Sequence, residues 1–141
     1  MMKLDRVKST PIILRKLDGK WWSLDEPLII YLDIAHAGVI KIRLDEGFKT
    51  DFGSIPKFAQ GYINRADDNL LSFLMHDAGY AFGAFSRDTW DDFLYQSLRM
   101  AGMRWFKAQS VYQSVSWFGS DHFGVSSTEQ INRVHLTWDS V

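Results

Sequence analysis

The sequence predicts an α+β fold in which an N-terminal antiparallel β-sheet, built of hairpins, packs against about three α-helices. Three observations carry this: apolar residues alternate or run in short blocks before residue 50, the period changes after Pro56, and two later stretches carry apolar stripes at helical spacing. Ile12 to Leu17 is followed by Asp18-Gly19, a pair that tolerates the positive φ of a tight turn, and then by Lys20-Trp21-Trp22, which predicts a hairpin. Leu28 to Leu32, bounded by Pro27 and Asp33, reads as a strand. Ile40 to Leu44 alternates apolar and basic residues like a half-buried strand, with Ala35 to Gly38 as the turn between them.

After Pro56 helices are expected. Asp67 or Asp68 can cap one carrying Leu70, Leu71, Phe73, Leu74, His76, Asp77 and Tyr80, with Gly83 as terminator. A second begins near Ser86 and stops at Ala101-Gly102. Trp90, Phe93, Leu94, Ser97, Leu98 and Ala101 share one face, and Asp88, Asp92, Gln96 and Arg99 lie opposite. A third fits Arg104 to Phe118, with Trp105, Ala108, Val111, Tyr112 and Val115 on a broad stripe. Phe106 and Trp117 fall instead among Gln109, Ser110, Gln113 and Ser114, so those two aromatics need a cover. Either the Ser-rich tail from Ser120 folds over them or a partner protein does. In the tail, Val134, Leu136 and Trp138 are spaced two apart as in a strand.

At 141 residues the chain reads as a single domain, with a β-rich region (1–49), a motif-bearing helical region (50–119) and a tail (120–141). The absence of Cys excludes disulfides, thiolate catalysis and Cys-ligated zinc or iron–sulfur sites. A net charge of -1 gives no broad grip on nucleic acid, although Arg99, Arg104 and Lys107 could form a local patch. No apolar run reaches the length of a membrane span, so a soluble cytoplasmic protein without a membrane partner is expected. Aromatic residues make up 15% of the chain, more than a core this small easily hides, and the surplus suits a protein interface.

Three segments could carry chemistry. In Thr50-Asp51-Phe52-Gly53-Ser54-Ile55-Pro56, Asp51 and Ser54 are candidates, with an Asx turn and a helix cap as the structural alternatives. His76 and Asp77 are adjacent on a helix, diverge by about 100° and could both border one cavity. Beyond His76 only His36, His122 and His135 remain, none in a recognisable ligand spacing. Asp91 projects at the edge of a buried stripe, between Leu98 and Tyr95. A carboxylate there should be paired, and His76 is its natural partner. Asp51, His76, Asp77 and Asp91 could thus form a cluster suited to Mg²⁺, Mn²⁺ or Zn²⁺, or to acid–base work with Ser54 nearby. They could equally be an internal polar network joining sheet to helices.

These segments resemble a phage and prophage family known as domain of unknown function 1353. Its pattern is Thr-Asp-x-x-Ser-Ile/Val-Pro, then His-Asp-x-x-Tyr, then Ser-Arg-x-x-Ala-Asp. The matching residues here are Thr50, Asp51, Ser54, Ile55 and Pro56, then His76, Asp77 and Tyr80, then Ser86, Arg87 and Asp91. Trp90 stands where the pattern has a small residue. The resemblance spans roughly Ile40 to Gly119. It implies a phage or prophage origin and hence a host-cytoplasmic or virion-incorporated protein, without supplying an activity. A virion-associated tail, baseplate or accessory component, partnered by a phage structural protein or by itself through Phe106 and Trp117, is the first expectation. A small metal-assisted hydrolase built on the Asp/His cluster is the alternative.

Overall fold

The computed structural model describes residues 2–19, 21–50, 67–118 and 127–140, and the statements below concern these. Seven strands are present: β1 (Leu4–Ser9), β2 (Leu14–Lys16), β3 (Trp22–Leu24), β4 (Leu28–Ile34), β5 (Gly38–Leu44), β6 (Lys49–Thr50) and β7 (Val134–Ser140). Four helices accompany them: α1 (Asp67–Phe82), α2 (Arg87–Met100), α3 (Trp105–Phe118) and α4 (Thr128–Asn132). The architecture is α+β. Every strand pairing is antiparallel, in a four-stranded sheet ordered β1-β4-β5-β7 and a three-stranded sheet ordered β2-β3-β6.

Strands β4 and β5 form the centre of the larger sheet for a reason visible in their sequences. Leu28, Ile30, Leu32 and Ile34 face inward at every second position, opposite Leu44, Ile42, Ile40 and Gly38 of β5, and all are buried. The intervening Lys41 and Arg43 face water. Each fully buried Leu or Ile contributes about 1.5–3 kcal/mol of transfer free energy, so this pair of strands anchors the sheet. Gly38 starts β5 at φ +134, and a Cβ there would lie 2.0 Å from the Asp139 carbonyl oxygen, so only glycine lets β7 approach at this end.

The predicted first hairpin is formed by β2 and β3, starting at Leu14 rather than Ile12. Helix α1 ends at Phe82, with Gly83 in the left-handed region at φ 75. Ser86 caps α2, its hydroxyl accepting the Thr89 amide at 3.2 Å. Trp90, Phe93, Leu94, Ser97 and Leu98 of α2 are buried, with Phe73 and Leu74 of α1 and Ala108, Val111 and Val115 of α3, in one apolar core shared with the sheet.

The structure completes the sequence reading at two points and departs from it at two others. The sheet is not confined to the N-terminal region, because the C-terminal strand β7 pairs along all seven residues with β5. Gln96 does not face open water: it accepts the Leu4 amide at 2.7 Å and donates to the Met2 carbonyl at 3.0 Å, tying α2 to β1. Trp105, assigned to the buried stripe of α3, is 63% exposed, because as the first residue of that helix it lies beyond the core that covers Ala108. The described part of the tail forms α4 and β7, and Phe106 and Trp117 stay 46% and 70% exposed.

Candidate functional site

Helices α1 and α2 face each other across a buried polar joint. His76 and Tyr80 are one turn apart on α1, so they share a face, and their rings lie 4.2 Å apart between centroids. Both reach Asp91, on the inward side of α2. His76 Nε2 lies 2.8 Å from Asp91 Oδ1, and the Tyr80 hydroxyl donates to the same oxygen at 2.5 Å. Asp91 is 0% exposed and His76 1%, so neither meets solvent.

Arg87, one turn before Asp91, extends the joint to a third helix. Its guanidinium donates through Nη2 to the Ser116 carbonyl of α3, while its Nε lies 3.8 Å from Asp91 Oδ2. That separation is beyond a hydrogen bond, and among the described residues neither Arg87 Nε nor Asp91 Oδ2 has a hydrogen-bond partner. The Arg87–Asp91 contact is therefore a charge–charge attraction across a short gap, with the hydrogen bonding of Asp91 concentrated on Oδ1.

The environment of Tyr80 disfavours its ionisation. Burial pushes the phenol well above its ordinary range and the hydrogen bond to Asp91 adds to this, while Arg87 acts weakly in the opposite direction. A raised pKa means that the folded state holds the Tyr80 proton after the unfolded state has released it. Stability is thus present in full below about pH 10, the unperturbed tyrosine range, and falls as pH rises beyond it. An alkaline titration followed at the phenolate absorbance should show one tyrosine ionising only as the protein unfolds. Tyr80→Phe should remove that late step and weaken folding by about 1.5–3 kcal/mol, the range for a hydrogen bond to a charged group.

The other candidates lie elsewhere. Asp77, adjacent to His76 in sequence, is half-buried and accepts a hydrogen bond from the Thr50 hydroxyl at the end of β6. Asp51 and Ser54 fall outside the described residues, as does His122. His36 occupies the β4–β5 turn in the left-handed region, and His135 on β7 bonds Asp45 at 2.7 Å. Among the described residues no group of three His, Asp or Glu side chains could hold a metal ion. His76 and Asp91 direct their polar atoms at each other, which suits a helix-to-helix joint better than an open coordination site.

Two members of the joint, Tyr80 and Arg87, fall within the motif pattern but not among the candidate site residues of the sequence. Tyr80 was placed on the His76 face, and the i,i+4 spacing was the signal that it shares the same partner. Arg87 had no such signal, since its contact with Ser116 depends on how α3 packs. Gly79 also matters. A Cβ at this position would lie 2.1 Å from Trp90 Cδ2, so the indole of Trp90 rests directly on the α1 backbone and donates through Nε1 to the Ala84 carbonyl at 2.7 Å.

The model of a family described as protein of unknown function (DUF1353) matches residues 22–115, two thirds of the chain. The chain belongs to this family. The DUF1353 segment begins at Trp22 rather than at Ile40, so it takes in the β4–β5 centre of the sheet as well as the three motifs, and it ends in the last turns of α3. Strand β7 and Trp117 lie beyond it. No curated protein and no solved structure matches the chain. Among the described residues no helix is long and apolar enough to cross a membrane.

Proposed function

We propose that this DUF1353 protein acts by docking on another protein, as a phage- or prophage-encoded tail, baseplate or assembly component. The carrying observation is the opposite placement of its two notable residue sets. The polar motif residues His76, Tyr80, Arg87 and Asp91 are engaged in joints between helices. The large aromatics Trp105, Phe106 and Trp117 of α3 are exposed. Trp and Phe side chains each bury about 150–250 Å² when covered, and Trp is enriched among the residues that dominate binding energy. The phage assignment rests on the resemblance of the motifs, and the host cytoplasm or the virion is the location that follows from it.

Phe106→Ser combined with Trp117→Ser tests this reading. Thermal stability should change by no more than about 0.5 kcal/mol, as for other exposed positions. Recovery of the protein with purified phage particles, measured by mass spectrometry, should fall at least about tenfold. A wild-type protein absent from particles and without a co-purifying partner would overturn the proposal.

A small metal-assisted hydrolase is the second reading, favoured by one observation. Asp77 is only half-buried and is bonded to Thr50, the residue immediately before Asp51. Asp51, Ser54 and Asp77 would then be the reactive set, with a divalent ion lowering the pKa of bound water. Stoichiometric Mg²⁺, Mn²⁺ or Zn²⁺ in protein purified without chelator, lost in Asp77→Asn, would favour this reading. Metal-free protein would remove it.

A further inference from the structure

We propose that the outer edge of β7 is a self-pairing surface, through which two copies of this chain join their four-stranded sheets into one continuous eight-stranded sheet. Strand β7 is terminal in the order β1-β4-β5-β7, so among the described residues its outer backbone groups have no strand partner. Such an edge is a template for a further strand.

The two edges of this sheet differ in how they are protected. Strand β1, at the far edge, carries exposed charges at Asp5 and Arg6 and has an irregular register between Leu4 and Arg6, both of which discourage pairing. Strand β7 has neither a bulge nor a Lys, Arg or Pro within it, and its register with β5 is unbroken from Val134 to Ser140. It also carries Trp138, 38% exposed on the core-side face, with Phe85 beside it at 6.3 Å and 47% exposed. Phe85 is held there in the left-handed region at φ 57, a conformation that costs a non-glycine residue energy, and its ring also lies 6.0 Å from that of Trp90.

The sequence of β7 is complementary to itself. In an antiparallel pair about a two-fold axis at Thr137, all seven residues find partners: Val134 opposes Ser140, His135 opposes Asp139, Leu136 opposes Trp138, and Thr137 meets its own copy. Opposed residues project to the same face, so Leu136 covers Trp138 of the other copy on the core side, and His135 meets Asp139 on the solvent side, each twice. Moving the axis to Leu136 or Trp138 leaves residues of β7 unopposed and separates His135 from Asp139. Polar and apolar matching therefore select a second copy in this register as the occupant.

The native chain has no cysteine, which makes cross-linking clean. Thr137→Cys should oxidise to a covalent dimer, whereas Ser110→Cys, exposed on α3, should give only collisional background. Light scattering on the full chain should give twice the 16.3 kDa mass. Asp139→Lys, which removes the carboxylate facing His135 at both symmetric positions, should weaken the dimer roughly five- to thirtyfold, while Trp117→Ser should leave it intact. A monomer at every concentration, equal cross-linking through both cysteines, or a dimer lost with Trp117→Ser but not Asp139→Lys would overturn the proposal. So would an edge that takes a foreign strand while the chain itself stays monomeric.

Discussion

Replacing Asp91 by alanine is expected to cost about 2–5 kcal/mol of folding stability, read as a shift of the urea midpoint with little change in slope. The magnitude follows from what is left behind. His76 Nε2 and the Tyr80 hydroxyl both lose the Asp91 acceptor inside a joint that solvent does not reach, and losing a hydrogen bond at a buried group costs about 1–3 kcal/mol. Arg87 loses its neighbouring charge but is less buried and keeps the Ser116 carbonyl, so its share is smaller. Asp91→Asn, which preserves shape and one acceptor oxygen, should cost less than Asp91→Ala. For a domain whose whole stability is about 5–15 kcal/mol, the alanine variant should be partly unfolded well below the wild-type transition.

The second large effect is expected at Gly79. Glycine to alanine inside a helix ordinarily favours the helix by about 1 kcal/mol, so propensity alone predicts a gain. Here the added methyl would stand 2.1 Å from the Trp90 indole, which is fully buried and fixed by its own hydrogen bond to Ala84. Neither helix can retreat without opening the His76–Asp91 contact. Gly79→Ala is therefore expected to destabilise by about 1–3 kcal/mol or more, the range for overpacking a rigid core. Combining it with Trp90→Ala separates the causes: in that background the penalty should vanish or reverse, since the clash is gone and helix propensity remains. A Gly79→Ala protein as stable as wild type would contradict the packing. The same contact accounts for the Trp at position 90, where the motif pattern has a small residue. In this chain the space for the indole is provided by Gly79.

The parts of the fold legible in the sequence are those set by local pattern. Alternation in Leu28–Ile34 and Gly38–Leu44, the 3.6-residue stripe from Trp90 to Leu98 and the Ser86 cap each depend on residues close in the chain. The His76–Asp91 pairing was also readable, because a carboxylate at the edge of a buried stripe requires a partner and His76 lies on the facing helix. What was hidden depends on packing between distant segments. Gln96 looked like a solvent-facing residue because nothing local reveals that β1 crosses that helix. Trp105 looked buried because its stripe is correct and only its position at the helix end exposes it. The seating of Trp90 on Gly79, and of Arg87 on Ser116, needed the helices in place. Of the four side chains first grouped as one cluster, the structure brings His76 and Asp91 together, gives Asp77 to Thr50, and leaves Asp51 outside the described residues.

The central claim is that Asp91 and the α1 residues facing it form one energetically coupled joint. A double-mutant cycle on urea unfolding, with Tyr80→Phe and Asp91→Asn alone and together, measures that coupling through conservative changes. The expected result is a non-additive interaction free energy of about 0.5–3 kcal/mol. Costs that simply add, within about 0.3 kcal/mol, would mean that Tyr80 and Asp91 act independently and would contradict the account.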